Sequence, residues 1–90
     1  MASRTMAPLI TEVYKLHEVG EGNPEHPLVF RSPGGALRAL LEHIENDKVV
    51  PMATWWAMCE DIEAGSFNGE DYATDYPNLT GFIVDRLTVA

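Results

Sequence analysis

Ser32-Pro33-Gly34-Gly35, followed by Leu37, Leu40, Leu41 and Ile44, narrows the folds open to this chain more than any other feature. A serine hydroxyl satisfies one of the unpaired N–H groups that open a helix. Proline at the first helical position arrives with φ already set and no N–H to leave unpaired. Apolar residues at i, i+3, i+4 and i+7 then form one stripe while Arg38, Glu42 and Glu45 point away, so the spacing predicts a core-facing helix from Ser32 to about Asn46. A second helix is marked by Pro51 near its start, by Trp55, Met58, Cys59 and Ile62 at the same spacing, and by Gly65 as the residue just past its end. Trp56 lies about one residue's rotation off that stripe, and Met52 shares its flank four residues earlier, which predicts an apolar edge at the surface.

Strand signals surround the helices. Residues 81–90 are rich in β-branched and aromatic types, and Leu28-Val29-Phe30-Arg31 sits between two breakers, Pro27 and the Ser32 cap. Two strands make a marginal sheet, and the third candidate is residues 10–19. There Leu9, Ile10, Val13 and Leu16 also satisfy helical spacing, but the density of Val, Ile, Thr and Tyr favours a strand. The loop from Gly20 to Pro27 then returns the chain as an antiparallel hairpin onto residues 28–31. The order is strand, strand, helix, helix, strand: an α+β domain with about three antiparallel strands and two helices packed on one face. Residues 66–78 hold Gly69, Pro77 and several acids without a period and read as a long loop.

Ninety residues suit a single domain, 1–90, in which a deep enclosed active site is not expected. An apolar fraction of 46% excludes wholesale disorder. Fourteen acidic residues against six basic ones give a net charge of −8, which disfavours direct binding to nucleic acid or anionic membrane and favours a partner with a basic surface. The lone Cys59 makes no intramolecular disulfide, and the residues after Met1 form no signal-peptide-like apolar run, so an intracellular, cytoplasmic protein is expected. With no apolar stretch near the roughly 18 residues of a membrane span, no integral membrane role is expected either.

Chemistry is sparse. His17, His26 and His43 show no paired metal-ligand spacing, and the acids Glu70, Asp71 and Asp75 lack the alternation and glycine of a calcium loop, so no metal and no cofactor are expected. Cys59 lies on the apolar stripe and reads as core rather than nucleophile. The Ser32–Gly35 turn lacks the lysine of a phosphate-binding loop, although Arg31 and Arg38 are near, and reads as a cap. Glu60 and Glu63 share a charged helix face with nothing to split their pKa values, and no catalytic residue is assigned.

The region from Trp56 to Pro77 stands apart, because it carries six acids and no Lys or Arg, interleaved with Phe67, Tyr72 and Tyr76. Exposed aromatics supply binding area at low entropy cost, and carboxylates steer a basic partner. The sequence therefore points to a non-enzymatic protein–protein interaction domain, an inhibitor or adaptor. Its contact residues are Trp56, Glu60, Glu63, Glu70, Asp71, Tyr72, Asp75 and Tyr76. One class of partner would be a nucleic-acid-binding protein, engaged by carboxylates at phosphate positions. The competing arrangement tucks the aromatics under the loop as a private core. Two other functions compete with the first: a small enzyme or enzyme subunit with a His/carboxylate cleft, and a subunit that self-associates through the Trp56/Met52 edge or an unpaired terminal strand, giving a homo-oligomer.

Overall fold

In the computed structural model, residues 11–20 and 28–89 are described. Strand β1, Thr11–Glu18, pairs along its whole length with β4, Phe82–Val89. Its other edge takes β2, Leu28–Phe30, through Tyr14, Lys15 and Leu16. A two-residue strand, β3 (Phe67–Asn68), closes the order β2-β1-β4-β3, with every pairing antiparallel. The fold is α+β as the sequence indicates. The sheet has four strands, however, because two residues of the expected 66–78 loop pair with Val84 and Ile83.

Period-two alternation explains why residues 11–18 are a strand despite their helical spacing. Tyr14 and Leu16 face the core, Val84 stands opposite Leu16, and Phe67 opposite Val84. A helix here would have left the eight-residue β4 unpaired on that side. The turn connecting β1 to β2, expected over Gly20–Pro27, lies outside the described residues beyond Gly20.

Helix α1 spans Pro33–His43 and α2 spans Met52–Ala64. Ser32 Oγ accepts from the Gly35 N–H at 3.0 Å, as a cap should. Helix α1 ends three residues before Asn46, because the chain turns through Glu45 at φ 54°. Leu37, Leu40, Met58 and Ile62 meet the inner face of the sheet and are fully buried with Leu79. Cys59 belongs to the same core, and burial pushes its thiol pKa up. No described helix is long and apolar enough to cross a membrane.

Both 3₁₀ turns, Gly69–Tyr72 and Pro77–Leu79, organise the segment read as loop. A Cβ on Gly69 would lie 1.8 Å from the Leu79 carbonyl oxygen, so only glycine lets the two turns touch.

Candidate partner-binding surface

Helix α2 offers its outer flank to an open groove of about 590 Å³ between it and α1. Trp55 and Trp56 form its apolar part, Glu60 and Glu63 its acidic part, and Arg38 with the Pro33–Gly34 start of α1 the opposite side. Trp56 is 57% exposed, a large fraction for an indole, and Met52 one turn earlier is also exposed. Spacing accounts for the cluster: 56, 60 and 63 are neighbours along one side of a helix.

Beside the groove, the carboxylates of α2 continue onto the first 3₁₀ turn. Tyr72 stacks on the buried Phe67 at 5.9 Å and donates its hydroxyl to Asp61 Oδ2 at 2.5 Å. Its phenol pKa is held far above the ordinary tyrosine value, by burial first and then by the bond to Asp61 and the charges of Asp61, Asp71 and Glu60. Glu70 and Asp71 are exposed on the same turn.

Three of the eight contact residues are placed otherwise than a contiguous exposed surface requires. Tyr76 is buried, at 7% exposure, because its ring joins Leu79 and Phe67 in the core, so it offers no binding face. Tyr72 is half-buried and packed against that core. The loop aromatics thus serve as packing, the arrangement weighed against exposure. Asp75, though exposed, stands apart from the α2 acids: Lys48 Nζ donates to its carbonyl oxygen at 2.7 Å and lies 5.8 Å from the centre of the Tyr76 ring. The segment's own sequence contains no cation, but the fold lends it one from the α1–α2 connection.

Sequence reasoning missed Arg38 and Trp55 as groove residues. Trp55 fell on the buried stripe by spacing, and it is only half-buried, with its ring edge beside Gly34. Periodicity does not register this, because it carries no information on how far α1 reaches over the Trp55 ring.

Histidine chemistry is limited. His17 Nε2 and Asp85 Oδ2 are 2.7 Å apart on the sheet face away from the helices, and the His43 ring packs edge-on to Phe82 at 5.5 Å. His26 lies outside the described residues. Among the described residues no group of three His, Cys, Asp or Glu side chains is placed to hold a metal ion. Compared with protein-family models, curated proteins and solved structures, the chain matches none.

Proposed function

We propose that this chain is a non-enzymatic interaction domain that binds a protein partner with a basic surface along the outer flank of α2. One observation carries the reading: a largely exposed indole, Trp56, lines the same groove as Glu60 and Glu63. An arginine or lysine of a partner would lie over the indole face and pair with the carboxylates, while Glu70 and Asp71 extend the field that draws it in. The net charge of −8 adds long-range steering. Nucleic-acid-binding proteins are the finer class proposed, since their grooves are shaped to accept closely spaced negative charges. The expected residence is cytoplasmic.

The test immobilises the chain and a Trp56→Ala/Glu60→Gln/Glu63→Gln variant and exposes both to lysate of the source cell at low and high salt. A basic protein retained by the native chain, released by salt and lost from the variant supports the proposal. Equal retention by both chains overturns it. Competition with duplex DNA then reads the finer class: DNA displaces the chain from a nucleic-acid-binding partner and leaves any other partner bound.

A further inference from the structure

Both helices cover one face of the sheet, and among the described residues nothing covers the other. Alternation places Val13, Lys15 and His17 of β1, Val29 of β2, and Ile83, Asp85, Leu87 and Val89 of β4 on that open face. Val29, Leu87 and Val89 are 48, 43 and 50% exposed. Such a concentration of aliphatic area on a sheet exterior calls for a cover.

Charge selects the cover. In a chain of net charge −8, the open face carries, among the described strand residues, one formal cation, Lys15, and one formal anion, Asp85, beside His17. The acids of α2 and the first 3₁₀ turn lie on the helical side, and those of Glu12 and Glu18 point inward by parity. This is therefore the neutral surface on which two equally acidic copies approach without repulsion. It is also self-complementary. Lys15 pairs with Asp85 across the strands, as do Val13 with Leu87 and His17 with Ile83. A two-fold axis running along the seam between β1 and β4, midway between two stacked sheets, lays β1 of one copy over β4 of the other at equal height. Each residue then meets the copy of its own cross-strand neighbour: Lys15 on Asp85, Val13 on Leu87.

We infer that this open face is a homodimer interface, with a second copy stacked sheet to sheet about 10 Å away and turned by about 30° through the twist of each sheet. Strands β1 and β4 have eight residues each and are about 27 Å long, while β2 and β3 add only three and two residues at the sides, so the footprint is smaller than that of a standard interface. The dimer is accordingly weak. This interface is independent of the α2 surface and leaves it free.

Sedimentation equilibrium between about 1 and 500 μM reads the association. The native chain shifts from the mass of one chain to that of two, and Leu87→Glu weakens the association about tenfold or more while its far-ultraviolet circular dichroism stays native. Two further variants separate this geometry from others. Lys15→Glu and Asp85→Lys each stay monomeric alone, through like charges across the interface, and associate when mixed. A single-chain mass at the highest concentration overturns the proposal, as does a mixture that fails to associate. Pairing by the free edge of β4 would overturn it too. The Val19 N–H donates to the Gly81 carbonyl in register with the β1–β4 ladder, which aims the Arg86 and Thr88 backbone groups away from β1. Edge pairing would slow hydrogen exchange at those two amides, whereas face stacking leaves them exchanging.

Discussion

Helix α1 closes with the Asn46 N–H bonded to the Leu41 carbonyl and the Glu45 N–H to that of Glu42, and α2 closes identically through Ser66 to Asp61 and Gly65 to Ile62. This pair of bonds requires a left-handed residue, which α2 supplies with Gly65 at φ 76° and α1 with Glu45 at φ 54°. A side chain there costs about 1 kcal/mol, so Glu45→Gly is expected to raise stability by roughly that amount in urea titrations. Gly69 has the opposite constraint. Gly69→Ala drives a methyl into the Leu79 backbone and is expected to destabilise by about 3 kcal/mol or to separate the two 3₁₀ turns, readable as a lowered urea midpoint. Ser32, Pro33 and Gly65 were legible in the sequence because each acts on its immediate neighbours. Glu45 was not, since a helix stop written without glycine resembles helix continuation. Gly69 was not either, because its constraint comes from a residue ten positions on.

Strands β1 and β4 carry their own polar clasp on the inner face beyond the helices. Arg86 Nη2 lies 3.2 Å from Glu12 Oε1, Thr88 Oγ1 donates to Glu12 Oε2 at 2.9 Å, and Arg86 Nη1 donates to the Glu63 carbonyl at 3.1 Å. The bonds from Arg86 and Thr88 hold the Glu12 carboxyl below its ordinary pKa of 4.5. A folded-state pKa below the unfolded one contributes stability that is present above pH 4.5 and lost as pH falls through the folded value. Glu12→Gln is therefore expected to flatten the acid limb of a stability-against-pH curve, and an unchanged acid limb would show the clasp to be inert. Within the 66–78 segment, Tyr72→Phe keeps the stack on Phe67 and removes the bond to Asp61, an expected loss of about 1 kcal/mol in the same titrations. Both helices and the three longer strands were legible from period and punctuation. Strand β3 was not, because two residues are too few to display a period and its pairing is dictated by Val84 and Ile83 from the far end of the chain.

Across the described residues, the acids gather on the flank of α2 and the first 3₁₀ turn, while the strand residues of the open sheet face are aliphatic apart from Lys15, His17 and Asp85. The cluster of Trp56, Glu60 and Glu63 was legible as helical neighbours, and Glu70 with Asp71 as an acidic run. The withdrawal of Tyr76 into the core and the pinning of Lys48 onto Asp75 were not, since both are long-range outcomes of packing. Topology adds a consequence for the order of events in time. Strand β1 is the first described element and sits in the middle of the sheet, yet its only full-length partner, β4, follows every other element. The residues that pair are roughly seventy positions apart, which places folding among the slower, non-local cases. During synthesis, β1 and both helices emerge with their apolar faces waiting for a strand the ribosome has yet to release. The described sheet is completed only when β4 clears the exit tunnel, and a nascent chain stalled before Phe82 leaves the long edge of β1 and the apolar faces of both helices uncovered.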